Sequence, residues 1–127
     1  MYSKIDMMTA DKVKKLMQPL IDKGCFYEYF YEKGGDSSCV YICRFQKGKD
    51  FFDWREVSGS EEIHIVAWAN GEYRFPSLKS FSPKKYRTYT FKSLFKKPTL
   101  EQRRGFVAEL LKAELEKDES AFLGIKL

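Results

Sequence analysis

The spacing between apolar residues changes twice along this chain, from helical to strand-like at Gly24 and back to helical after Pro98. The first helical pattern predicts a helix over Thr9–Lys23 with Thr9 as its N-cap. Pro19 lacks the N–H that a helix interior requires, so we expect this helix to kink, or to break near Gln18 and resume for a turn. The residues that share its apolar face are Val13, Leu16, Met17, Leu20 and Ile21.

Two aromatic segments with a period of two flank a polar, glycine-containing loop, which is typical of a β-hairpin. Placing Glu32 opposite Cys39 puts Glu28 opposite Cys43 and gathers the tyrosines of the first segment on the other side of the sheet. Those tyrosines are either a stacking platform or part of the packing beneath a helix. The two segments are Cys25–Glu32 and Cys39–Gln46, and the loop is Lys33–Ser38.

Three further segments favour strands. Phe51–Val57 is one, and Glu62–Ala69 pairs with Glu72–Phe75 across Asn70-Gly71. Asn-Gly is the preferred pair for a two-residue type I′ turn, because both central residues need a positive φ. Tyr86–Phe95 is rich in threonine and aromatic residues and is therefore predicted to be a sixth strand.

The residues that follow Pro98 predict the start of a second helix. Thr99 and Gln102 form the pattern of a capping box, in which each side chain satisfies a free N–H at the other residue. This predicts a helix over Leu100–Lys117. The chain is thus expected to be a single α+β domain over residues 1–127. Its N-terminal and C-terminal helices pack on one antiparallel sheet of five to six strands.

Positive charge is concentrated in one part of the chain. The formal net charge is +5, yet the range Ser77–Arg104 alone contains nine Lys or Arg against the single acid Glu101. Cations interleaved with aromatic rings suit a polyanion with bases that can stack. They are also found on a solvated face or on an edge strand protected by lysine. The candidate nucleic-acid or anion-binding residues are Lys84, Lys85, Arg87, Lys92, Lys96, Lys97, Arg103 and Arg104, with Tyr86 and Tyr89 as stacking groups.

Few other residues carry the patterns of known chemistry. His64 is the only histidine, and no nucleophile, metalloprotease or phosphate-loop motif accompanies it. A pocket containing His64 or Glu28 is a second candidate site. Asp53 and Glu56 are predicted to point to opposite faces of one strand and to be solvated. We expect no catalytic residue, no cofactor and no metal site, since three cysteines without a C-x-x-C motif fit reduced, buried thiols.

Together these features predict a non-enzymatic binding module. We expect it in the cytoplasm, because no apolar run resembles a signal peptide or a membrane span. The first hypothesis is weak, single-stranded nucleic-acid binding through residues 77–104. The alternative is a protein-interaction or inhibitor-type domain that binds an acidic partner or associates as a homodimer. A small-ligand pocket protein is a third hypothesis, and we expect no membrane partner.

Overall fold

A computed structural model describes residues 4–33, 39–57 and 62–127 of the chain. Strands β1 to β5 form one antiparallel sheet in which consecutive strands are neighbours, and β6 and β7 form a separate two-stranded sheet. The predicted α+β fold is confirmed. The elements are α1 (Lys4–Leu16), α2 (Gln18–Asp22), β1 (Phe26–Lys33), β2 (Cys39–Lys47), β3 (Asp50–Val57), β4 (Ile63–Ala69), β5 (Glu72–Arg74), α3 (Leu78–Phe81), α4 (Pro83–Ser93), α5 (Leu100–Lys117), β6 (Ala121–Phe122) and β7 (Ile125–Lys126).

The hydrophobic core takes its sheet residues from one face of the sheet. Phe45, Trp54 and Ala67 alternate with residues of the opposite face and are all buried. Val13 of α1 and Leu111 of α5 are fully buried in the same cluster. The two long helices therefore cover this face, as the apolar stripes of their sequences require.

The N-terminal helix breaks where the proline predicts, although it begins earlier than expected. Helix α1 begins at Lys4, ahead of Thr9, and α2 resumes at Gln18. Pro19 occupies the first turn of α2, where its missing N–H removes no helical hydrogen bond. The break is thus confirmed, and the predicted N-cap at Thr9 is wrong.

The β1–β2 hairpin pairs one residue away from the predicted register. Glu32 lies opposite Val40, and Glu28 lies opposite Arg44 instead of Cys43. Tyr27 consequently faces the helices, where its hydroxyl donates to the Ala10 carbonyl at 2.7 Å. A one-residue slip reverses which residues share a face, and in the observed register Tyr27 and Tyr29 share theirs with the buried Phe45 and Cys43.

The segment predicted to be a sixth strand is helical. Residues 86–95 lie in α4 and the turn after it. Pro83 stands in the first turn of α4, and the hydroxyls of Thr88, Thr90 and Ser93 donate to carbonyls four residues earlier. These local bonds satisfy the polar side chains, and packing against α5 overrides their preference for strands.

The local signals at the last strands and the last helix are confirmed. Asn70 and Gly71 have φ of 55° and 80°, as a type I′ turn requires. Helix α5 spans Leu100–Lys117, and both bonds of its capping box are present between Thr99 and Gln102. Among the described residues, none of the helices combines the length and apolar character needed to cross a membrane.

Candidate functional site

Helix α4 presents an exposed side that combines cations with apolar side chains. Lys84, Arg87 and Phe91 follow one another at intervals of three and four residues, which places them on one side of the helix. None of the residues of α4 is buried. Phe91, Leu94 and Phe95 are exposed by 62%, 76% and 78%. The α4 surface is defined here as Lys84, Arg87, Phe91, Lys92, Leu94, Phe95 and Lys96.

A groove between α4 and α5 brings several of the predicted cations together. It has a volume of about 470 Å³, and Lys84, Lys85 and Lys92 line it together with Glu109. Lys85 forms a salt bridge with Glu109 at 3.1 Å. Among the described residues, Lys84 and Lys92 have no carboxylate within salt-bridge distance, so their charges face outward.

The two predicted stacking tyrosines already stack inside the molecule. The ring of Tyr89 lies parallel to that of Phe106, with centroids 3.9 Å apart. Tyr86 lies against the same ring at 6.4 Å, and burial raises the pKa of Tyr89. This corrects the prediction that Tyr86 and Tyr89 stack on bases, because both rings pack between α4 and α5. The exposed rings are those of Phe91 and Phe95.

Arg104 is also corrected, because it belongs to the interior. Its Nε and Nη2 donate to the two carboxylate oxygens of Glu56 at 2.9 and 2.7 Å. Arg104 is 7% exposed and Glu56 is 5% exposed. The hydrogen bonds to Glu56 raise the pKa of Arg104. The charge of this guanidinium is already neutralised by Glu56, so it is a poor contact for an external phosphate.

The remaining predicted cations lie around the end of α4 and the start of α5. Lys96 and Lys97 are exposed in the turn between these helices. Arg103 is half-buried and lines a different cleft, on the side of α4 that faces β4. The structure therefore brings Lys84, Lys85, Arg87 and Lys92 onto one helix, with Lys96 and Lys97 beside it.

Asp53 and Glu56 do point to opposite faces of β3, as predicted, but both are buried and not solvated. Glu56 accepts from Trp54 Nε1 at 2.9 Å as well as from Arg104. Asp53 is fully buried and binds Arg44 at 2.8 and 3.0 Å and Arg55 at 2.9 Å. The sequence carries one signal of this, acids placed inside an alternating apolar strand, but the arginine partners are set by tertiary structure.

The predicted pocket residues do not meet. His64 and Glu28 lie on β4 and β1, which are separated by two strands. His64 lines an open cleft of about 400 Å³ with Tyr86 and Tyr89, and its Nε2 lies 3.2 Å from a Glu62 oxygen. Glu28 is exposed on the sheet and lies outside this cleft. Of the two residues predicted for a pocket, His64 therefore lines this cleft and Glu28 does not, and the pocket itself stays a prediction.

The cysteines that the structure describes are buried thiols. Cys25 and Cys43 are free, and desolvation raises the pKa of both, that of Cys43 to about 12. The side chain of Cys39 lies outside the described residues. Within the described parts of the chain, no group of three or more His, Cys, Asp or Glu residues could hold a metal ion.

Comparison with known proteins adds no relative: no family model matches the chain, and neither a curated protein nor a solved structure matches it significantly.

Proposed function

We propose that the protein binds single-stranded nucleic acid through the α4 surface and the groove beside it. The observation that carries this proposal is the convergence of Lys84, Lys85 and Lys92 on one groove, next to exposed aromatic rings. Phosphates would lie along these cations. Each phosphate contact releases bound counterions from the nucleic acid, which is the main source of sequence-independent affinity.

Single strands suit this surface better than a duplex because Phe91 and Phe95 are free to take up unpaired bases. Their rings are 62% and 78% exposed and lie 5.4 Å apart in an edge-to-face arrangement. Stacking of a base on an aromatic side chain contributes about 1–3 kcal/mol and tolerates any base. The proposal therefore retains the cations of the sequence hypothesis except Arg104, and it replaces Tyr86 and Tyr89 by these two phenylalanines.

The test is fluorescence anisotropy with a labelled oligo(dT) and a labelled oligo(U) over a series of salt concentrations. The variant Lys84→Ala/Arg87→Ala/Lys92→Ala removes three exposed charges. If all three contact phosphates, the slope of log K against log salt becomes less steep by about 2, at about 0.7 per phosphate contact. A matched control, Lys15→Ala/Lys49→Ala/Lys126→Ala, removes the same charge from exposed positions elsewhere and should leave the slope unchanged.

Replacing the rings separates base stacking from apolar contact. Phe91→Leu/Phe95→Leu keeps the surface apolar but removes both π faces. Loss of about 1–3 kcal/mol per ring would weaken oligo(dT) binding by about five- to 150-fold for each ring that stacks. The proposal is refuted if the charge variant and its control lose the same affinity. It is also refuted if the wild-type protein does not bind either oligonucleotide at low salt.

Leu94 supports a second candidate function, a contact with an acidic protein. Leu94 has no ring and is 76% exposed between Phe91 and Phe95, so the three side chains form an apolar patch bordered by lysines. Such a patch suits a protein surface with an apolar centre and an acidic rim. A partner of this kind would tolerate Phe91→Leu/Phe95→Leu, whereas a stacked single strand would not.

A further inference from the structure

The core leaves one face of the five-stranded sheet without a covering helix in the described part of the chain. We call it the open sheet face. It consists of the side chains of β1 to β5 that alternate with the core positions. Phe30, Phe51 and Trp68 of this face are half-buried, whereas Ile42 and Val66 are buried. None of these five residues belongs to the hydrophobic core cluster or to the partly buried residues that pack against it.

Aromatic rings form a continuous row at one end of this face. Phe51 stacks on Trp68 with centroids 6.5 Å apart, and Trp68 meets Tyr73 at 4.7 Å. Tyr73 in turn stacks on Phe75 at 6.1 Å. Tyr73 and Phe75 are 54% and 73% exposed. Phe26 of β1 lies on the same face and is 64% exposed, but Gln46 of β2 separates it from Phe51. Exposed apolar rings in a contiguous row mark an interaction surface.

The charges of the open sheet face do not favour a polyanion. Arg44 and Arg55 are its guanidinium groups, and both are bound to the buried Asp53. Arg44 also lies over the ring of Phe51, with 3.8 Å between its guanidinium carbon and the ring centroid. Glu28 shares this face and is exposed, so the face has no surplus of positive charge. With both cations already paired, the face is mainly apolar, and an apolar face is complementary to a second copy of itself.

The size of the face fits a dimer contact. Five strands spaced by about 4.8 Å, each about seven residues long at about 3.4 Å per residue, cover roughly 600 Å². Stable interfaces bury about 600–1,000 Å² per partner. Sheets that pack face to face interdigitate their side chains at a separation of about 10 Å, which would also cover the aromatic row.

We propose that two copies of this chain associate through their open sheet faces. The interface is isologous, so each copy contributes the same aromatic row and the same mixture of Glu28, Arg44 and Arg55. This surface is separate from the α4 surface, and the proposal does not depend on nucleic-acid binding.

Sedimentation velocity between about 5 and 200 μM tests this proposal. We expect the wild-type protein to form a dimer in that range. Tyr73→Glu places a charge in the interface twice, once per copy, and should raise the dimer dissociation constant by about 100-fold or more. Phe91→Glu introduces the same charge at a similarly exposed ring of the α4 surface and should leave the dimer intact.

Circular dichroism tests whether each variant is folded. If Tyr73→Glu fails to fold, Phe26→Glu tests the dimer contact in its place. A wild-type protein that stays monomeric at 200 μM overturns the proposal. A dimer that persists in both sheet variants, or one that only Phe91→Glu dissociates, also overturns it. The monomeric sheet variants should still bind oligo(dT) if the proposed function is correct, so the two proposals can fail separately.

Discussion

The ion pair between Arg104 and Glu56 makes a sharp prediction about stability. In Arg104→Met, the carboxylate of Glu56 stays buried and loses the two hydrogen bonds of 2.9 and 2.7 Å that it accepts from the guanidinium. Only the bond from Trp54 Nε1, at 2.9 Å, remains among those described. Removing one partner of a buried pair costs about 3–5 kcal/mol, because the other charge is left without compensation.

This loss is large compared with the total stability. A domain has a free energy of unfolding of about 5–15 kcal/mol. At a urea m-value of about 2 kcal/mol per M, a loss of about 4 kcal/mol lowers the unfolding midpoint by about 2 M. Urea titration followed by the fluorescence of Trp54 and Trp68 measures this shift.

Two variants separate the charge from the packing. Glu56→Gln/Arg104→Met removes both charges and should recover at least half of the lost stability, because no ion remains buried. Lys12→Met removes the partner of Glu101 in an exposed pair and should leave the midpoint unchanged within error.

The reasoning is refuted if Arg104→Met unfolds within about 1 kcal/mol of the wild-type protein.

Three further predictions concern single positions. Burial raises the pKa of Cys43 to about 12, so Cys43 should resist iodoacetamide at pH 8 until urea unfolds the protein, as peptide mass spectrometry can show. Rapid labelling of Cys43 in the native protein would contradict this. Because the unfolded thiol ionises above about pH 8.5 and the folded thiol does not, the urea midpoint should also fall as the pH rises from 8.5 to 10.5. Gly71→Ala places a side chain at a φ of 80° and should lower the free energy of unfolding by about 1–2 kcal/mol. Gly105 lies in a helix with open space around it, so Gly105→Ala should raise the free energy of unfolding by about 0.5–1 kcal/mol. Equal effects of the two variants in thermal unfolding would refute the conformational argument. Thr99→Ala removes the hydroxyl that accepts from the Gln102 N–H at 3.1 Å and should cost about 1 kcal/mol, and an unchanged melting temperature would show that the capping box contributes nothing.

The candidate site was predictable only in part. The exposure of Lys84, Arg87, Lys92 and Lys96 agrees with the sequence expectation, since charged side chains are rarely buried without a partner. Arg104 is the exception, and its partner Glu56 is 48 residues away in the chain. Its neighbour in sequence, Arg103, lines a different cleft, so proximity in the sequence does not place Arg104 in the same site.

The sequence by itself determined the features that depend on a few adjacent residues. The break at Pro19, the type I′ turn at Asn70-Gly71 and the capping box at Thr99 all follow from backbone chemistry within one turn. Such signals act over a few residues, so no distant contact is needed to specify them.

Only the tertiary structure decided the β1–β2 register, the helical state of α4 and the burial of Asp53 and Glu56. Each depends on a partner far along the chain or from another element: Ala10 for Tyr27, Phe106 for Tyr89 and Arg104 for Glu56. Strand preference in residues 86–95 amounts to a few tenths of a kcal/mol per residue, about 1 kcal/mol across the whole scale. The half-buried rings of Tyr86 and Tyr89 contact Phe106 of α5, and this partial burial outweighs that preference.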